Sequence, residues 1–320
     1  MSKAEDFRNH INEGYTFEGD FIAFGSAILE GGPVGEANVK IPLSTLNRHG
    51  LIAGATGTGK TKSLQVLADE RALKGIPIHL KLKHPTYHIN WEEVREKVTA
   101  KTKLIITNNP HNPFGSAWNE DEIKALEELV QAHPELMVLI DEVYEYIQYN
   151  NEHQSVLKSS ILGERSFITY SFGKTMHVTG WKLGYCIAPE SFTAEYRKIH
   201  QYMAFCANNT MQYAVAKYLN TGEFWREVMP MYQQKKDLFM EQIKMSRFKT
   251  LTRSGTYFFL LDYSEISTLS DVDFAKELTI KYGVAAIPVS VFYQDQTDHK
   301  VIRICFAKQN ETLIKAAELL

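Results

Sequence analysis

YSFGKTMHVTGWKLGY, residues 170–185, decides how the rest of the chain is read. A β-type run from Ser166 to Ser171 ends in a small-residue turn that carries one lysine, Lys174. A cation held where a strand stops is costly to bury unless it has a partner. One physical use is a lysine kept partly neutral by desolvation and ready to bond covalently to a carbonyl. Ser171 lies before it in the chain and Lys182 after it. A hydroxyl and a second cation so close suit a bound phosphate. A surface turn between two strands explains the stretch equally well in isolation, so its meaning rests on other segments.

Working outward, strand and helix alternate. INWEEVREKV reads as a helix with Trp91, Val94 and Val98 on one face, and TKLIITNNP as a buried strand running into NNPHNPFGSAW. Asn119 can cap the helix NEDEIKALEELVQAH, whose acidic first turn suits the helix dipole. The strands LMVLIDEVYE and SFITYS follow, then the lysine turn, the strand KLGYCIA and a helix near Ser191 to Tyr202. This order predicts an α/β fold with a mostly parallel sheet flanked by helices, in which ligands gather at the carboxyl ends of strands. Asn112, Asp141 and Lys174 each follow such an end, which points to one site. From about residue 205 the chain changes character. Long helices near Asn209 to Leu219 and Phe224 to Met245 precede the strands TYFFLLDY and VIRICFA, with a helix between them and a last helix near Glu311. The expected domains are 1–80, 81–204 as a large α/β domain, and 205–320 as a smaller α+β domain.

The first 48 residues are weakly patterned, with short strands at FIAFGSAIL and NVKIPL. A strand near Leu51 then enters a glycine loop, Gly54-Ala55-Thr56-Gly57-Thr58-Gly59-Lys60-Thr61, followed by a helix with Leu64, Leu67 and Leu73. This is a full Walker A pattern in strand–loop–helix context. Gly54, Gly57 and Gly59 let backbone N–H groups curl around phosphate, Lys60 neutralises charge, and Thr61 can reach Mg²⁺. Residues 10–78 resemble HerA-type P-loop ATPases, which implies ATP and Mg²⁺ as alternative ligands. The likeness stops where the chain reads HLKLKHPTYHINWEEV. LMVLIDEVYE, ending in Asp141-Glu142, also fits a Walker B strand.

Residues 84–320 resemble class I/II pyridoxal-phosphate aminotransferases of fold type I, closest to the branch acting on methionine, aromatic amino acids and kynurenine. The motifs NPHNPFG, DEVYE, SFGKT and VIRICFAK occur in order, and that ordered set favours this family over Walker B for Asp141. The resemblance implies that Lys174 bonds the cofactor and shuttles the proton. Asp141 would bind the pyridine nitrogen, Tyr144 and Asn112 the phenolic oxygen, and Ser171 and Lys182 the phosphate, the family more often having arginine at the last place. Arg303 would clamp the substrate carboxylate, since guanidinium grips a carboxylate with two parallel bonds. Trp181 and Tyr257 read as packing residues. The implied activity is transfer of an amino group from an amino acid to a 2-oxo acid, in a homodimer.

The family has more before residue 84, including a phosphate-binding turn and an aromatic residue that stacks on the cofactor ring. Nothing between Thr61 and His84 matches that aromatic. The chain therefore reads as a chimera of an ATPase fragment and a truncated aminotransferase, with impaired cofactor binding expected. Composition sets outer bounds. The 320 residues carry a formal charge of −3 and are 44% hydrophobic, enough for a large core and no reason to expect nucleic-acid binding. Cys186, Cys206 and Cys305 are scattered, without metal-type spacing, and read as reduced thiols of a cytoplasmic protein. No apolar run is long enough to span a membrane, and MSKAEDFRNH is too polar for a signal peptide.

Overall fold

The computed structural model describes residues 2–42, 77–149, 152–251 and 254–320. The chain forms two compact units, Met1–Ile78 and His79–Leu320. The glycine loop at Gly54 to Thr61 lies outside the described residues.

In the first unit, helix α1 (Lys3–Gly14) packs against a two-stranded antiparallel sheet of β1 (Phe21–Leu29) and β2 (Gly32–Pro42). The two strands match the sequence reading; the helix was not anticipated. It buries none of its residues fully, and its apolar stripe is a thin one of Ala4, Phe7 and Ile11. Its signal is the cap. The Ser2 hydroxyl accepts from the Glu5 N–H at 3.2 Å, and the Glu5 carboxylate accepts from the Ser2 N–H at 2.6 Å. Ion pairs Lys3–Glu30 and Arg8–Glu36 tie helix to hairpin; being exposed, each contributes about 0–1 kcal/mol.

The second unit begins its regular structure with helix α2 (Trp91–Lys97), capped by Asn90, and strand β3 (Leu104–Asn108). Helix α3 (Glu120–Ala132) follows, with Asn119 and Glu122 completing a capping box. Next come β4 (Met137–Asp141), the single turn α4 (Ser160–Gly163), β5 (Ser166–Ser171), the single turn α5 (Phe172–Thr175) and β6 (Gly184–Ile187). These strands form one sheet in the order β3-β4-β5-β6, parallel except for the last pair. Ile123, Leu126, Leu129 and Val130 form the apolar stripe of α3 and pack in one cluster with Val138, Ile140 and Ile168 of the sheet. The β3 side is more open: Ile106 is 69% exposed.

Helices α6 (Glu190–Met203), α7 (Asn209–Leu219) and α8 (Trp225–Gln242) lead to a second sheet. It contains β7 (Lys249–Thr250), β8 (Phe258–Asp262), β9 (Ile287–Pro288) and β10 (Val301–Cys305), in the order β7-β8-β10-β9, all antiparallel. Helix α9 (Asp271–Tyr282) lies between β8 and β9 in the chain, and α10 (Asn310–Glu318) ends it. Phe239, Phe259, Phe306 and Leu313 are buried at the centre of this part, and Tyr144 and Ile147, which follow β4, belong to the same cluster. The chain leaving the end of β4 thus plugs into the core of the second sheet.

Register fixes what meets at the strand ends. Asn108 pairs with Asp141, Asp141 with Thr169, and Ser171 with Gly184. The last of these needs glycine: a Cβ at position 184 would stand 2.3 Å from the Tyr170 carbonyl oxygen.

Candidate active site

β3 and β4 end level with one another and β5 runs two residues further before the lysine turn, so the ends of all three lie along one edge of the sheet. Asp141 closes β4. Its Oδ1 accepts from the Val143 N–H at 3.3 Å and from the Thr169 hydroxyl at 3.4 Å. Burial raises its pKa above the ordinary value, against the hydrogen bonds and the Lys174 charge, which lower it. A half-buried carboxylate of this kind is the group that a protonated ring nitrogen would neutralise.

Lys174 lies three residues beyond the end of β5, in α5 rather than in an open turn. Ser171 caps that turn by accepting from the Gly173 N–H at 3.1 Å. A Cβ at Gly173 would come 2.9 Å from the Thr179 Cα, so the turn packs closely on the segment after it. The Lys174 amine is partly buried, 2.8 Å from the Tyr257 hydroxyl, 5.6 Å from the Tyr144 ring centroid and 5.4 Å from that of Tyr257. Tyr144 is 2% exposed and its ring lies edge-on to that of Tyr257, 5.5 Å between centroids; burial pushes its pKa far up.

Arg303 arrives from β10 of the other sheet. Its guanidinium stacks 4.1 Å from the Phe258 ring centroid and donates from Nη1 to the amide oxygen of Asn112. Burial lowers its pKa, while Tyr144 nearby raises it. The bond uses only the oxygen of the Asn112 amide and leaves Nδ2 as a donor. Asn112 is itself held, its N–H donating to the Asn108 side chain at 2.6 Å, whose Nδ2 donates to the Asp141 carbonyl at 2.6 Å.

Of the residues singled out from sequence, the structure brings together Asp141, Lys174, Tyr144, Asn112 and Arg303. Ser171 is spent on the α5 cap while facing the same strand end. Lys182 is exposed, in a left-handed conformation with φ +54°, and makes no hydrogen bond or ion pair with described residues.

Two groups escaped the sequence reading. Glu142, considered only as a Walker B acid, is fully buried and accepts from Tyr170 at 2.8 Å, His153 at 3.0 Å and the Val156 N–H at 3.1 Å. It pins the chain directly after Asp141. Tyr257, taken as packing, touches the lysine amine. The adjacent acid in DEVYE was a signal for the first; nothing in TYFFLLDY marks the second.

Glu145 lies close to Glu142, and burial pushes its pKa from an ordinary 4.5 up to about 7. The folded state therefore binds this proton more tightly than the unfolded chain. The stabilisation is complete below about pH 4.5 and is lost as pH rises to about 7. Glu145→Gln should remove this dependence. Urea unfolding of both proteins from pH 4.5 to 7.5 should show the variant gaining on the native chain, with the gain levelling off above about pH 7. Parallel curves would contradict the assignment.

Residues 68–320 match the family described as Aminotransferase class I and II. The chain belongs to the class I and II aminotransferases. It is 44% identical over 248 residues to the methionine aminotransferase of Escherichia coli K12, covering 77% of this chain and 64% of that one. It is 36% identical to the kynurenine–oxoglutarate transaminase of Dictyostelium discoideum, over 72% of this chain and 58% of the relative. The chain thus spans less than two thirds of either relative's length. Among solved structures it resembles the Escherichia coli protein YbdL, reported with a methionine aminotransferase function, with TM-score 0.76, 41% identity and coverage of 82% and 68%. The N-succinyldiaminopimelate aminotransferase of Mycobacterium tuberculosis gives a TM-score of 0.72 at 27% identity, over 80% of this chain and 67% of that one. These likenesses agree with the α/β fold read from the strand–helix alternation. Residues 29–83 match the family Helicase HerA-like C-terminal, in line with the two-part origin read from the sequence. The aminotransferase match covers most of the chain and favours that reading over the ATP-binding one; ATP and Mg²⁺ as ligands find no support. The aminotransferase family is dependent on pyridoxal phosphate, and the half-buried Asp141 carboxylate, the Lys174 amine and the free Asn112 donor fit that group chemically.

Proposed function

We propose that the chain is a pyridoxal-phosphate-dependent aminotransferase that moves the amino group of an amino acid, methionine or an aromatic one, onto a 2-oxo acid. The observation that carries this reading is the convergence of the Lys174 amine and the Asp141 carboxylate at the ends of neighbouring parallel strands, with Arg303 reaching Asn112 from the second sheet. The choice of substrate follows the names of the relatives. When bound, the cofactor supplies an electron sink that acidifies the substrate Cα–H.

The chain's own residues do the rest. Asp141 would hold the ring nitrogen in its protonated form, which burial alone would oppose. Tyr144 and Asn112 Nδ2 would hold the phenolic oxygen, and Lys182 would hold the phosphate with Ser171, whose O–H still donates while its oxygen caps α5. Arg303 grips the substrate carboxylate with its remaining N–H groups, which turns the Cα–H toward Lys174. Lys174 takes that proton at Nζ and returns it at the end of the reaction. In this reading residues 81–204 bear the cofactor and 205–320 bring Arg303, in a homodimer. Among the described residues no helix is long and apolar enough to cross a membrane. With its three cysteines free, we place the protein in the cytoplasm.

Titration of the purified chain with pyridoxal phosphate tests the reading. A visible band that bleaches on addition of methionine is expected, and no band at any pH would sink it. Sizing chromatography showing monomer alone would remove the dimer.

A further inference from the structure

Tyr257 occupies a position built with unusual care. The residue before it, Thr256, is fully buried and holds φ +66°, a left-handed conformation that a β-branched residue rarely takes. Such strain persists where surrounding contacts over-determine it. Those contacts are present: the Thr256 N–H donates to the Ile147 carbonyl at 2.8 Å, and its own carbonyl accepts from the Tyr149 hydroxyl at 2.7 Å. The Tyr257 carbonyl accepts from the Phe306 N–H at 3.0 Å. The backbone is thus clamped by the segment after β4 on one side and by the end of β10 on the other. The clamped side chain reaches the Lys174 amine at 2.8 Å and packs edge-on against the Tyr144 ring, 5.5 Å between centroids.

We propose that Tyr257 is the positioning residue of Lys174: its hydroxyl accepts from the Nζ amine and holds it on the side of the site where Asp141 and Arg303 converge. This deepens the aminotransferase reading and rests on it. A pure packing role is the competing explanation, because the Tyr257 ring also lies 5.5 Å from each of the Tyr144 and Tyr232 rings. Phenylalanine separates the two, since it keeps the ring and removes only the hydroxyl.

Tyr257→Phe should fold with a melting temperature close to that of the native chain. In the chain without cofactor, brief acylation with dilute acetic anhydride, read by peptide mass spectrometry, should label Lys174 at least about threefold faster once its partner is gone. Labelling of the exposed Lys101 should not change. In the loaded protein, kcat should fall at least about tenfold with KM for the amino acid within about threefold, because the base is misdirected while carboxylate binding is intact. Unchanged Lys174 labelling, or an unchanged kcat, overturns the assignment. The labelling arm needs no cofactor, so it tests Tyr257 even if the native chain shows no visible band, an outcome that would count against the aminotransferase reading instead.

Discussion

Lys174→Ala is expected to abolish the visible band with pyridoxal phosphate and to lower transamination by at least about 10⁴-fold. The alanine variant loses both the covalent attachment point and the general base, and a positioned base alone is worth about 10²–10⁴-fold. The structure adds a reason to expect a clean loss. Among the described residues, Lys174 is the lysine whose charge acts on the Asp141 carboxylate. Lys174→Arg distinguishes chemistry from charge. It restores a cation beside Asp141 and cannot attach the cofactor or take the proton at neutral pH, so it should be as inactive as the alanine variant. Residual activity of either variant above about one part in a hundred would contradict the role given to Lys174. The measurement is single-turnover amino transfer from methionine, with borohydride reduction and mass spectrometry to locate the attached cofactor in the native chain.

Glu142→Ala should be the most damaging change outside the amine. Glu142 is fully buried and satisfies the Tyr170 hydroxyl, a His153 ring nitrogen and the Val156 N–H. Removing the carboxylate strands these groups in the interior. Each unsatisfied group costs about 1–3 kcal/mol, and partial relaxation leaves an expected loss of about 3–5 kcal/mol. For a unit of this size that corresponds to a fall in melting temperature of about 10 °C. Cofactor affinity should fall with it, because Glu142 anchors the chain immediately after Asp141. Pairing the change with Tyr170→Phe in a double-mutant cycle isolates their bond: the two losses should sum to more than the double variant's. A loss below about 1 kcal/mol by urea unfolding would show that the network does not hold the strand end.

Much of the fold was legible because the signals are local. Alternating strand and helix patterns located β3 to β6 and α3, and Asn119 was read correctly as a cap. The helix Asn209 to Leu219 and the strand around Arg303 also lie where the periodicity put them. Helix α1 was missed because its apolar period is only Ala4, Phe7 and Ile11 in an otherwise polar run. At the site, Asp141 and Lys174 were legible as polar residues at strand ends. Glu142 was not, because whether an acid faces the interior or solvent depends on which segment covers it, here the one around His153 and Val156.

By itself the sequence determined the residue types available for the chemistry and the strand ends that carry them, since period and capping are written over a few neighbouring positions. Only the tertiary structure decided who meets whom. Arg303 finds Asn112 across 191 positions of chain, and Lys174 finds Tyr257 across 83. Such pairings are set by strand register and by the packing of the β4 exit into the second sheet, and neither leaves a periodic trace in the sequence.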